Sequence, residues 1–137
     1  MKKDTYVKRT SYLRPKQVVA NYWKAMAGND FHAVAQQWLS KDFECTWPQS
    51  NELIAGRENF ALINSEYPSD GDWSFTVNTL VEDGTQVVSD VTVTDGKVVA
   101  KAVTFHTVFN GKITKQTEYW PEDYDAPEWR KKWVKKR

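Results

Sequence analysis

The chain has 137 residues and a formal net charge of +1, which suits one domain with one core and leaves no global field to recruit nucleic acid or a membrane. A single cysteine, Cys45, excludes an internal disulfide and a cysteine-only metal site, and two histidines make a zinc site a poor fit. No apolar run approaches the ~20 residues of a membrane span, and the first residues, Met-Lys-Lys-Asp-Thr-Tyr, lead into no apolar stretch. The expectation is a reduced, cytoplasmic protein with no metal or other cofactor. Seven Trp, six Tyr and six Phe make 14% of the chain aromatic. Such side chains build small cores and line ligand pockets.

Residues 1–14 are polar and basic without a period and read as a flexible arm, followed by one domain over 15–137. Pro15 suits a first helical turn, where a missing N–H costs nothing. Val18, Tyr22 and Met26 then recur at helical spacing, with Val19 and Trp23 beside them, and Gly28 closes the helix. Asp30 caps a second helix whose apolar stripe is Phe31, Val34, Ala35, Trp38 and Leu39. Phe43 to Trp47 reads as a short strand ended by Pro48, and 49–56 as a loop. A third helix runs from Arg57 to Tyr67, presents Phe60 and Ile63, and stops at Pro68.

From Trp73 the period changes to two. Asp83-Gly84, Asp95-Gly96 and Asn110-Gly111 are each strong two-residue hairpin signals. They predict a four-stranded antiparallel meander over 73–82, 85–94, 97–109 and 112–120. Glu82 then faces Thr85, Thr94 faces Lys97, and Phe109 faces Lys112. One face collects Trp73, Phe75, Val77, Val88, Asp90, Thr92, Lys101, Phe105, Gln116, Glu118 and Trp120, and its aromatics suit packing against helices. The other collects Val87, Val91, Val93, Ala100, Ala102, His106, Val108 and Ile113, and suits a homodimer partner. Asp90 sits opposite Lys101 on the first face, with Glu118 one row away, so a mixed-charge corner is expected in an apolar, aromatic pocket.

The tail from Pro121 ends in a basic run. It is expected to form a solvated terminal helix anchored by Trp129 and Trp133 rather than a nucleic-acid contact.

These features resemble the nuclear transport factor 2-like superfamily, in its SnoaL-like (polyketide cyclase-like) branch, over about residues 15–130. The resemblance rests on helix–Gly-Asn-Asp–helix at 16–39 and on Gly56-Arg57 entering the third helix. It rests also on Asn110-Gly111-Lys112-Ile113 leading to Glu118-Tyr119-Trp120-Pro121. It implies an α+β fold: a cone-shaped pocket formed by three N-terminal helices on a curved antiparallel sheet. Function does not follow from that fold, which hosts isomerases, dehydratases, cyclases, hydrolases and binders. In the ketosteroid-isomerase branch a helix-one tyrosine donates to the substrate oxygen, and Tyr22 looks like its match. The catalytic aspartate of that branch falls near Trp47 and its second acid near Phe105, so its isomerisation residues are replaced by aromatics.

The chain is therefore expected to hold a small apolar or aromatic ligand. Asp90 is the candidate base, Lys101 its electrostatic partner, and Glu118 or Tyr22 the proton donor. Tyr22, Trp47, Tyr67, Val88, Phe105, Gln116 and Trp120 are the candidate ligand contacts. The rival expectations are a binding module without turnover and an interaction domain whose pocket is filled by side chains. Cys45 has no implied histidine partner and is read as a small strand residue.

Overall fold

Pro15 opens the first helix: α1 spans Pro15–Met26 and buries Val18, Val19, Tyr22, Trp23 and Met26. The structure, a computed structural model, describes residues 11–137. Most of the expected N-terminal arm, residues 1–10, lies outside the described residues, and 11–14 have no regular structure. The N-terminus of α1 is held from the sheet. Glu82 accepts from the Lys16 amide at 3.0 Å and from Arg14 Nη2 at 2.8 Å, and those bonds hold its carboxyl below the usual carboxylate range. After α1, Asn29 takes a positive φ of 59°. Asp30 then caps α2 (Phe31–Trp38) by accepting from the Ala33 amide at 3.1 Å. Lys112 Nζ donates to the Gln36 and Gln37 carbonyls near the other end of α2, where a cation complements the helix dipole.

The expected first strand is longer than its apolar pattern shows: β1 covers Leu39–Trp47. The expected loop after it contains a short strand, β2 (Glu52–Ala55), hairpinned onto β1. Helix α3 follows (Arg57–Glu66), then β3 (Ser74–Asp83), β4 (Gln86–Thr94), β5 (Val99–Phe109) and β6 (Lys112–Tyr119). The sheet is a curved, six-stranded layer ordered β2-β1-β6-β5-β4-β3. It is not purely antiparallel, because β1 runs parallel to β6. The N-terminal helices pack on one face, so the expected α+β architecture holds. No described helix is long and apolar enough to cross a membrane.

Only one hairpin has the expected register. Asn110 and Gly111 both take positive φ, and Phe109 pairs with Lys112. At the first turn the loop is Gly84-Thr85, and Asp83 pairs with Gln86. At the second, Thr94 pairs with Val99. Asp95 folds that loop around its own carboxylate, accepting from the Lys97, Val98 and Asp70 amides at 3.0, 2.8 and 2.9 Å. Those bonds lower its pKa to about 2. Each shift is by two positions and leaves side chains on the same face. Two bulges do not. One register break lies between Val77 and Thr79 in β3, and the other lies opposite Thr107/Val108, leaving Thr114 unpaired in β6. An unpaired residue reverses every side chain beyond it.

The face expected to meet the helices is therefore two half-faces joined. Its β4 and β5 members, Val88, Asp90, Thr92, Lys101 and Phe105, lie on the outer face; its β6 members, Gln116 and Glu118, lie on the inner one. The residues expected at a dimer interface, Val91, Val93, Ala100, Ala102, His106 and Val108, turn instead to the helices. All but half-buried Ala100 are buried within a single chain. Bulky helix aromatics pack onto small strand residues, whereas the Asp90–Lys101 pair stays where water can reach it. The tail also departs from expectation. Glu128–Trp133 is a 3-10 helix, and Trp129 and Trp133 are 71% and 72% exposed rather than buried as anchors among the described residues.

Ser89, His106 and Gln116, buried polar groups of the inner face, form one connected line with Trp23. Trp23 Nε1 donates to Ser89 Oγ at 3.1 Å, Ser89 Oγ meets His106 Nε2 at 2.8 Å, and His106 Nδ1 meets Gln116 Oε1 at 2.8 Å. The Gln116 oxygen can only accept, so Nδ1 carries the proton and Ser89 donates to Nε2. This line ties α1 to β4, β5 and β6 through groups that water cannot reach. Replacing Ser89 with Ala leaves a buried indole N–H and an imidazole nitrogen unpaired. A loss of about 1–3 kcal/mol in urea-unfolding stability is expected, and a variant as stable as the parent would remove the line from the account of the core.

Candidate functional site

A cavity of about 460 Å³ opens between the helices and the sheet. This is the size of small-molecule sites. Helix α1 contributes Tyr22, Trp23 and Met26, and α3 contributes Phe60 and Asn64, with Tyr67 just beyond it. The sheet supplies Phe75, Val93, Ala100 and Glu118, and Trp47 and Trp120 stand where β1 and β6 end. Gln49 and Ser50 from the β1–β2 turn, Glu52 at the start of β2 and Glu122 after β6 lie at the exposed rim.

Local structure fixes several of these rings. Asn29 grips the Trp73 backbone from both sides, its Oδ1 accepting from the Trp73 amide at 2.8 Å and its Nδ2 donating to the carbonyl at 2.9 Å. Tyr67 then meets Trp73 edge to face, with centroids 5.9 Å apart. Trp120 is held by its amide, which donates to Gln49 Oε1.

Glu118 is a carboxyl on the cavity wall that burial perturbs. It is 5% exposed. Its Oε1 accepts from Trp47 Nε1 at 3.0 Å and its Oε2 from Thr104 Oγ1 at 2.7 Å. Burial raises its pKa, while the hydroxyl of Thr104 and the indoles of Trp47 and Trp120 pull the other way. Tyr22 is buried beside it, and its phenol is pushed well above the usual range by burial and then by the Glu118 charge. Cys45 is likewise raised by burial first and by Glu118 second, so its thiol is not an activated nucleophile.

Of the ligand contacts expected from sequence, Tyr22, Trp47, Tyr67 and Trp120 line this cavity. Gln116 lies behind the wall, bonded to His106. Val88 and Phe105 face outward, with Phe105 46% exposed. Of the expected acid–base group, Glu118 lines the cavity and Asp90 and Lys101 do not. Asp90 pairs with Val103 rather than Lys101, and the two charges meet diagonally at 3.3 Å on the outer face. Trp23, Phe60, Trp73 and Phe75 are cavity walls that sequence reasoning left as core or face residues. The signal available for them was the sorting of charge: the strand face without Asp or Lys is the one that helices cover.

A SnoaL-like domain model matches residues 19–116. The chain belongs to the SnoaL-like domain family. It is 31% identical to a candidate ketosteroid isomerase from Kribbella flavida, over 90% of this chain and 89% of that one, with a TM-score of 0.81. An NTF2-like protein of unknown function from Burkholderia xenovorans is 28% identical over 90% and 94% of the two chains, with a TM-score of 0.72. An LEH-like epoxide hydrolase from Mycobacterium tuberculosis shares the fold at 18% identity and a TM-score of 0.64, over 78% and 82%. No curated protein sequence matches the chain.

Glu118 and His106 give opposite pH signatures. The imidazole of His106 is lowered to about 3 by burial, against an unfolded value of 6.5. The unfolded chain therefore takes up this proton first, and stability falls as pH drops through that window. Glu118 is raised above its unfolded 4.5, so its contribution is lost as pH rises from there through its folded value. Glu118→Gln removes only the second effect. The stability of the variant relative to the parent should grow as pH rises above about 4.5, read from thermal midpoints across pH. A constant difference would show that Glu118 titrates normally.

Proposed function

We propose that this SnoaL-like protein binds a small molecule in the aromatic cavity and carries out cofactor-independent proton transfer on it, of isomerase, lyase or cyclase type. Glu118 is the acid–base group. The observation that carries this reading is one nearly buried carboxyl, raised in pKa, on the wall of an otherwise aromatic cavity. A carboxyl tuned upward works as acid or base closer to neutral pH. Tyr22 lines the same cavity, and burial keeps its phenol protonated, a donor rather than an anion. The description of the Kribbella relative as a candidate ketosteroid isomerase supports proton transfer next to a carbonyl. The resemblance implies an aromatic residue, Trp47, near the position where that branch carries its base, and Glu118 takes the base's part from another strand.

A second reading, binding without turnover, is favoured by the two hydrogen bonds that already engage both oxygens of Glu118. Deuterium incorporation next to the carbonyl of a β,γ-unsaturated cyclic ketone, followed in deuterium oxide, separates the two. The wild-type protein is expected to exceed the buffer rate, and Glu118→Gln to lose about 10²–10⁴-fold of that excess. Asp90→Asn, on the outer face, should leave it unchanged. An undiminished rate in Glu118→Gln ends the acid–base assignment. No exchange by the wild type, with tryptophan fluorescence still quenched by the ketone, selects binding alone.

We propose further that a second copy covers the outer face. Val81, Val88, Phe105 and Thr117 form one cross-strand row there, and Phe105 meets Tyr119 from the next row with centroids 6.2 Å apart. Val99 is 71% exposed and Val81 55%. Exposed large apolar side chains gathered on one sheet face in this way mark a candidate interface. Phe105→Glu is expected to shift sedimentation from dimer to monomer without changing cavity binding. A parent that sediments as a monomer would overturn the proposal.

A further inference from the structure

Resting on the reading of the cavity as a small-molecule site, we infer that its ligand carries an apolar cation, an alkylated or quaternary ammonium group. Trp23, Trp47, Trp73 and Trp120 all present surface to the cavity, and tryptophan is the ring with the strongest attraction for a cation over its face. The ionisable side chains of the wall and rim that carry charge are carboxyls: Glu118 on the wall, Glu52 and Glu122 at the mouth. Among the described residues, no Lys, Arg or His lines the cavity. The basic residues next to lining residues along the chain are Lys24, Lys97 and Lys101, and two of them are paired outside the cavity, Lys97 with Asp70 at 3.3 Å and Lys101 with Asp90 at 3.3 Å.

The hydrogen-bonding groups are biased the same way. Several donors of the lining are already engaged within the protein. Trp23 Nε1 donates to Ser89, Trp47 Nε1 to Glu118, Asn64 Nδ2 to the Phe60 carbonyl, and Ser50 Oγ to Glu52 at 2.6 Å. What remains toward a ligand is mainly aromatic face and carboxylate oxygen, with the Tyr22 and Tyr67 hydroxyls as neutral donors. An anion meets repulsion and few free donors. A neutral apolar ligand brings no charge to favour the ionised form of Glu118, which burial opposes. An alkylammonium satisfies both features at once: its methyl groups bury against the rings and its charge faces Glu118.

Two probes of the same shape test this: benzyltrimethylammonium and its neutral carbon counterpart, neopentylbenzene. Each is titrated against the full chain by tryptophan fluorescence and calorimetry. The cation is expected to bind at least about tenfold more tightly than the neutral probe. Glu118→Gln should narrow that ratio severalfold. Equal or tighter binding of neopentylbenzene overturns the cation inference while leaving the cavity a small-molecule site. Binding of neither probe removes the small-molecule reading and this inference with it. The wild-type ratio decides the matter by itself if the variant does not fold.

Discussion

One unpaired residue in the last strand decides what the cavity contains. Val108 pairs with Ile113, but Thr107 pairs with Lys115, so Thr114 stands outside the ladder with its hydroxyl donating to the Thr107 carbonyl at 3.3 Å. Beyond that point β6 presents the opposite side chains to the helices. Gln116 reaches His106, Glu118 reaches Thr104 and Trp47, and Trp120 reaches the cavity mouth. A regular hairpin would turn Gln116 and Glu118 to water and bring Lys115 and Thr117 onto the helix face. The polar line through the core and the acid of the cavity thus depend on the same local irregularity, consistent with bulges re-aiming side chains next to functional sites.

Once turned inward, Glu118 sits in a place that opposes its charge. The surroundings answer with donors rather than with a cation: a hydroxyl and an indole N–H hold its two oxygens. Burial makes the carboxyl keep its proton to higher pH, and these bonds partly offset that by lowering the cost of ionisation. A neighbouring lysine would have fixed it as an anion. The contrast with Asp90 is instructive. That residue has its lysine at 3.3 Å but lies on the outer face, where an ion pair of this kind contributes little.

The helices were legible because their signals are local. Pro15 at the first turn, Asp30 as a cap and the i, i+4 aromatics each act within a few residues of themselves. The Asn110-Gly111 turn was legible for the same reason, since both residues need positive φ. The sheet faces were not. Asp95 gathers three amides and lengthens its loop, which depends on Asp70 from a distant segment. The bulges at Asn78 and Thr114 leave the alternation of residue types almost unchanged while reversing its meaning. Asp90 and Lys101 were drawn into the pocket by register alone. Their charge argued for the outer face, and that argument was the stronger one. Glu118 and Trp120 were nonetheless assigned to the pocket side, because the misassigned face and the bulge in β6 compensate for each other.

The other bulge has its own bearing on how the molecule meets copies of itself. Strand β3 borders the sheet, with no further strand beside it among the described residues, and a straight border of this length would offer free amides and carbonyls to any extended chain. The break at Asn78, whose side chain turns back to Thr92 at 2.8 Å, bends the strand near its middle, and Glu82 and Asp83 place carboxylates at its end. The opposite border, β2, is only four residues long. Growth by adding strands is therefore disfavoured at both margins. Contacts of the kind proposed for the outer face would close on themselves after two copies, whereas contacts through a border would propagate into a fibre.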